Sequence, residues 1–518
     1  MTRRIIDPYP ELSRRLQEYM LLPGKIPNGI STASVEISTP LTKFDSSKEP
    51  KLRLNIPVLS APMQSITGPE MAIEMAKLGG AGVVFCSQPV EDEARMVSRV
   101  KEYKAGFVMP DVFSPETPLM EVEKRIEEKG YSTFPITEDG MPNSRIAGYL
   151  TRKDFDPQLH SNLKVRDRMI PVERLQYASL GDVTDEKGEI DLNKALGILR
   201  EGHHGSLPIL DDEGRVCYVV FRRDVEEHTK NPLELVDQRK RFICGAAINT
   251  HDYKHRAEAV MSAGADFLVI DTSQAHSEYV ETCLSYVKER FESVPVIAGN
   301  VVTGEGFQFL VENGADGIRV GMGSGSICIT QEQINVGRGQ ATAVLEVAKV
   351  RDELFRNKGV YVPIVSDGGI TRAGDITMAL ALGADSVMVG RFVAGTDESN
   401  SKRITHNMTI DGRTAQEIVK EYWGEGSNRA RKWSEFRYGH TSFEEGIEMY
   451  VPYVGHLRDY MLPSLTMIKD GVRKAGCRNI KELHECSVVQ ALSPFSFGMR
   501  SENPSIIPQP SRSETRSA

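Results

Sequence analysis

Eight short apolar or β-branched runs, each bounded by glycine, proline or small residues and spaced by helical stretches, constrain this chain more than any other feature. They cover residues 56–60, 81–85, 242–247, 267–271, 294–299, 317–321, 362–366 and 386–390. Three even-numbered runs follow the same helix-ending phrase, Gly-Ala-Asp, at 264–266, 314–316 and 383–385, and the second follows the related Gly79-Gly80-Ala81. Eight βα units predict an α/β fold, a closed (β/α)8 TIM barrel whose site is built by loops at the C-terminal ends of the strands. A doubly wound open sheet is the alternative.

The second and third runs are separated by residues 86–241, far more than one helix and loop need. A second module belongs there, and it repeats internally. Phe-Pro-Ile-Thr-Glu-Asp-Gly at 134–140 leads to Gly-Tyr-Leu-Thr-Arg-Lys-Asp at 148–154, and Leu-Pro-Ile-Leu-Asp-Asp-Glu-Gly at 207–214 leads to Tyr-Val-Val-Phe-Arg-Arg-Asp at 218–224. Each copy follows a helical stretch. The pair resembles tandem CBS domains, which in many families bind adenine or guanine nucleotides; a structural spacer is the plainer reading. The expected division is barrel over 1–105, tandem CBS module over 106–230, barrel again over 231–500 and a disordered tail over 501–518. Residues 396–450 form a polar, glycine-bearing segment too long for a barrel loop, as lids are.

Composition narrows the function classes. Of 518 residues, 40% are hydrophobic and 26% charged, which suits a buried core. The formal charge of -9, with no basic stripe, argues against nucleic-acid binding. No run of apolar residues is long enough to span a membrane, and the N-terminus lacks the apolar core of a signal peptide. Seven scattered cysteines without a Cys-x-x-Cys spacing disfavour a disulfide framework and a structural zinc site. A soluble, cytoplasmic enzyme of small molecules is the expectation.

The chemistry concentrates after the later strands. The loop after the sixth run reads Gly-Met-Gly-Ser-Gly-Ser-Ile-Cys-Ile-Thr over 321–330. Its glycines let backbone groups approach a ligand or ion closely. Cys328 sits where a barrel places catalytic groups, so it is read as a nucleophile rather than a packing residue. Glycine turns after the seventh and eighth runs, at Gly368-Gly369 and Gly390-Arg391, are where barrels cradle phosphate. Asp367 fits a carboxylate that binds a sugar diol or a helix N-cap. Asp271-Thr272-Ser273, after the fourth run, is a weaker candidate for a cofactor ribose, and no Gly-x-Gly-x-x-Gly opens a helix after a strand. His251 and His255, without a third ligand nearby, read as solvated.

In this order, and with the inserted repeats, the loops resemble the IMP dehydrogenase / GMP reductase family, over about 19–483. The specific motifs are Gly-Ser-Ile-Cys-Ile-Thr at 325–330, Gly-Arg-Gly-Gln-Ala-Thr-Ala at 337–343, Ser-Asp-Gly-Gly-Ile at 366–370 and Tyr-Trp-Gly-Glu-Gly-Ser at 422–427. Glu425 and Glu445 are similar to the dehydrogenase branch of some protozoa and bacteria. The resemblance implies that Cys328 attacks carbon 2 of inosine 5'-monophosphate, that hydride passes to NAD, and that water hydrolyses the thioimidate after a flap closes. It assigns water activation to Arg437, paired with Tyr438, with Thr330 assisting. It places Met63, Ser326, Gly368, Gly369, Gly390, Arg391 and Tyr422 around the nucleotide, chiefly its phosphate, with Asp367 on the ribose and Gly424, Glu425, Gly426 and Glu445 at the base. It sets Asp271, Thr272, Ser273, Gly321, Met322 and Gly323 against NAD, and the carbonyls of Gly323, Gly325 and Cys328 around potassium. It implies a homotetramer or an octamer.

Two departures bear on this. The flap between Trp433 and Phe443 is short, and the C-terminal Glu-Gly-Gly that completes the potassium site is absent around 493–498. Both lean toward the rival within the family, GMP reductase with NADPH. Against it stand the Arg437-Tyr438 pair and Asn428, where a reductase carries glutamate. A silent nucleotide sensor predicts loss of Cys328, Asp367 or Arg437, and all are present.

Overall fold

The computed structural model describes residues 12–103, 111–129, 132–186, 188, 190–202, 204–410, 413–431 and 444–493. Eight parallel strands close into a barrel: β1 (Val58–Ser60), β2 (Ala81–Val84), β3 (Cys244–Ile248), β4 (Phe267–Asp271), β5 (Val296–Val301), β6 (Gly317–Val320), β7 (Ile364–Asp367) and β8 (Ser386–Val389). The open-sheet alternative is thereby excluded. β1, β3, β5 and β7 start two residues later than the apolar runs do, and all but β3 directly after a proline: Pro57, Pro295 and Pro363. Proline has no N–H for the ladder, so it marks the strand edge. Its carbonyl still serves, accepting from Val387, Leu268 and Ile318 respectively.

The runs are apolar throughout because both faces are buried. Leu59, Val83, Phe267, Val269, Ile297, Val365 and Met388 fill the barrel interior, while Val58, Val84, Leu268, Ile270, Ile318 and Val387 pack outward against the helices.

The repeated Gly-Ala-Asp closes the bottom of the barrel. Gly264, Gly314 and Gly383 end their helices at φ +97, +95 and +109, conformations a side chain would resist. The aspartate then reaches back to the preceding odd strand. Asp266 accepts from the Cys244 amide at 2.7 Å, Asp316 from Val296 at 2.7 Å and Asp385 from Ile364 at 2.8 Å. Each carboxylate is matched by a cation from a neighbouring helix, Lys101, Lys288 or Arg351.

The inserted segment leaves after the helix Val90–Glu102 and returns before β3, at the bottom edge. It holds two antiparallel hairpins, Thr133–Thr137 with Ile146–Thr151 and Ser206–Leu210 with Val216–Phe221, behind the helices Leu119–Lys129 and Leu192–Glu201. Each copy has its own apolar cluster, around Phe134 and Ile136 in one and Leu207 and Ile209 in the other. The copies join where the Ile146 amide donates to Gly214 and that of Val216 to Ser144.

The segment after β8 is not a plain loop. Arg403–Ile410, Arg413–Trp423 and Glu448–Pro452 form a three-stranded antiparallel arm. The flap residues 432–443, with Arg437 and Tyr438, and the tail 501–518 lie outside the described residues.

Candidate active site

A cavity opens at the C-terminal ends of the barrel strands, floored by the tips of β1, β4, β5, β6, β7 and β8. Its wall includes Met63, Asp271, Thr272, Ser273, Gly321, Met322, Gly323, Gly325, Ser326, Cys328 and Thr330. It continues through Asp367, Gly368, Gly369, Gly390, Arg391, Tyr422, Gly424, Glu425, Gly426 and Glu445. Every candidate residue among the described ones therefore borders one space.

Cys328 is half-exposed, whereas Cys86, Cys244, Cys283 and Cys477 are buried. Burial pushes the Cys283 thiol up to about 12 and that of Cys244 higher, which leaves those sulfurs protonated and inert. The Cys328 sulfur lies 3.3 Å from the Thr330 hydroxyl, which donates to Glu445 Oε2 at 2.8 Å. A hydroxyl has one proton to give. With that proton on Glu445, the thiol proton points at Thr330, and sulfur, hydroxyl and carboxylate form a relay. Backbone bonds hold the ends in place: Ile329 donates to the Glu445 carbonyl at 3.0 Å and Ile447 to that of Ile327 at 3.0 Å.

On the opposite wall, Arg319 is 5% exposed and pairs with Asp271 Oδ1 and Asp367 Oδ2, each at 2.9 Å. Burial works against the guanidinium charge, but the two carboxylates outweigh it and raise the pKa above its ordinary value. Asn300 donates to the same Asp367 oxygen at 2.9 Å and to the Gly321 carbonyl at 2.7 Å. Sequence reasoning missed both residues. Arg319 carried a usable signal, a charge inside a strand that is otherwise apolar on both faces.

At the far end, Gly368 and Gly369 take φ +98 and +74, turning the chain sharply after Asp367. A Cβ on Gly390 would lie 3.0 Å from the Tyr422 hydroxyl, so glycine lets the phenol close over the turn. Burial pushes the Tyr422 phenol far up, keeping it a neutral donor. Glu425 is turned toward the β1 and β2 loops, where it accepts from the Gln64 amide at 2.6 Å and from Ser87 Oγ at 2.5 Å. A second cavity shares Asp271, Thr272 and Ser273 with the first and runs on past Asn249, Thr250, His251, Gln274 and Tyr279. His255 instead faces Glu91 at 3.6 Å on the surface.

Fold and site define a (β/α)8-barrel enzyme with a half-exposed thiol on its cavity wall and a second cavity adjoining the first. Residues 15–499 match the family model of the IMP dehydrogenase / GMP reductase domain, and the chain belongs to that family. It is 39% identical to inosine-5'-monophosphate dehydrogenase of Tritrichomonas foetus, covering 94% of this chain and 95% of that one. To the Aquifex aeolicus protein of the same name it is 34% identical, covering 87% of each. Among solved structures, a cysteine-to-alanine variant of Trypanosoma brucei GMP reductase in complex with guanosine 5'-monophosphate superposes with TM-score 0.77 at 26% identity, covering 96% of this chain and 98% of that one.

Proposed function

We propose that the protein oxidises inosine 5'-monophosphate to xanthosine 5'-monophosphate, in guanine nucleotide synthesis, with NAD accepting the hydride. The observation that carries this reading is the Cys328–Thr330–Glu445 relay at the mouth of a cavity that ends in the Gly368–Gly369 and Gly390–Arg391 turns. Cys328 loses its proton through Thr330 toward Glu445 and its sulfur bonds carbon 2 of the purine. NAD supplies an acceptor for the hydride that leaves that carbon. Water then replaces sulfur at carbon 2, releasing product and restoring the thiol, with Thr330 or Arg437 taking its proton. Asp367, fixed by Arg319 and Asn300, holds the ribose, and the glycine turns with Tyr422 hold the phosphate.

The residues present suit the cofactor. Arg319 Nε and Asn300 Oδ1, both buried, have no protein partner on the cavity wall. A donor and an acceptor in that state match a primary carboxamide, and the adjoining cavity past Ser273 suits the rest of a dinucleotide. Potassium fits less well: the Gly325 carbonyl already accepts from the Cys328 amide at 3.2 Å, and the chain lacks the closing Glu-Gly-Gly. No step depends on it. The inserted repeats, read as CBS domains that bind adenine or guanine nucleotides, and a homotetrameric or octameric assembly belong to the same proposal.

GMP reductase is the second reading, favoured by the likeness to the trypanosomal reductase over nearly the whole chain. Purified protein given inosine 5'-monophosphate and NAD should raise NADH absorbance, and Cys328→Ser should abolish it. Consumption of NADPH with GMP alone would transfer the assignment to the reductase; no turnover in either assay would sink both.

A further inference from the structure

The N-terminal segment before the barrel is tied to the chain that follows β6 and β7. The Gly339 amide donates to Ser13 Oγ at 2.7 Å, the Arg14 amide donates to Thr342 Oγ1 at 2.8 Å, and the Arg14 carbonyl accepts from Ala341 at 3.1 Å. Leu16, 1% exposed, pins the segment to the core. The segment thus lies across the start of the helix Gln340–Lys358, which follows the cysteine loop. From there Gln17 Nε2 donates to the Gly369 carbonyl at 2.8 Å.

That single bond has a defined effect. Gly369, with no Cβ and φ +74, lets the peptide that joins it to Ile370 turn over at little cost. In a trans peptide the carbonyl and the following N–H point in opposite directions. Fixing the Gly369 oxygen outward on Gln17 therefore fixes the Ile370 N–H on the other side, and Ile370 lines the cavity. We propose that Gln17 is a positioning residue for anion binding: it locks the Gly369–Ile370 peptide so that its N–H faces the substrate phosphate. This rests on the phosphate being held at the Gly368–Gly369 turn, as proposed above.

Calorimetric titration of wild type, Gln17→Ala and Gln17→Glu with inosine 5'-monophosphate and with inosine tests it. Losing the lock should weaken nucleotide binding about fivefold, the effect of one hydrogen bond. Inosine, lacking the phosphate, should bind all three proteins alike. Steady-state kinetics should show the same loss in KM with kcat retained, which a merely structural role would not produce. Gln17→Glu keeps the shape and removes the donor, so it reports even if the alanine variant folds poorly. Unchanged nucleotide affinity in both variants, or equal weakening for nucleotide and nucleoside, would overturn the proposal. If wild type itself binds inosine as tightly as the nucleotide, the phosphate assignment fails and takes this inference with it.

Discussion

At the scale of single residues, catalytic competence turns on where a few protons reside. The Thr330 hydroxyl links the Cys328 sulfur to the Glu445 carboxylate. Thr330→Val keeps the branched shape and removes that link. Turnover should fall by ~10²-fold, the lower part of what positioned proton transfer supplies, with nucleotide affinity little changed. Equal turnover in the variant would take Thr330 out of the mechanism. Cys328 was legible in the sequence because a lone cysteine in a glycine-rich barrel-top loop is conspicuous. Asn300 was not, because nothing local distinguishes it; its importance comes from the distant Asp367 that folding brings to it. Glu425 was placed at the base by resemblance, yet its carboxylate is held by Gln64 and Ser87, two partners far away in sequence.

At the scale of elements, the bottom turns show why a repeated tripeptide accompanies a barrel. Asp385 accepts from Ile364 and from the Tyr361 hydroxyl at 2.7 Å and pairs with Arg351, which is 1% exposed. Asp385→Ala leaves the buried guanidinium with Asp352 as its remaining carboxylate partner and should cost about 3–5 kcal/mol, the range for a broken buried pair. Asp385→Asn, which keeps the shape, should cost less. Urea unfolding would read both, and an alanine variant as stable as wild type would refute the role given to the turn. The strands were readable because burial on both faces makes them apolar throughout. Three of the four late starts came from a proline that looked like part of the apolar run, and the segment 396–450 was noticed without its strands.

At the scale of the whole molecule, the cavity opens at one end of the barrel and the inserted module's connections leave and return at the other. The module's two connections come close together: Lys77 lies over the Tyr103 ring at 5.2 Å and pairs with Glu227 at 3.6 Å. Replacing residues 104–226 with a short glycine-serine linker should leave turnover within about threefold, since the copies carry their own cores. A loss of more than about tenfold in a folded variant would mean that the module supports the site directly. The place of attachment also has a consequence for descent. The insertion falls in the return from a helix to β3, so no strand of the barrel changes its partner or its register when the module is present. A lineage could gain, discard or exchange such a cassette in one recombination event, with the ancestral chemistry working throughout.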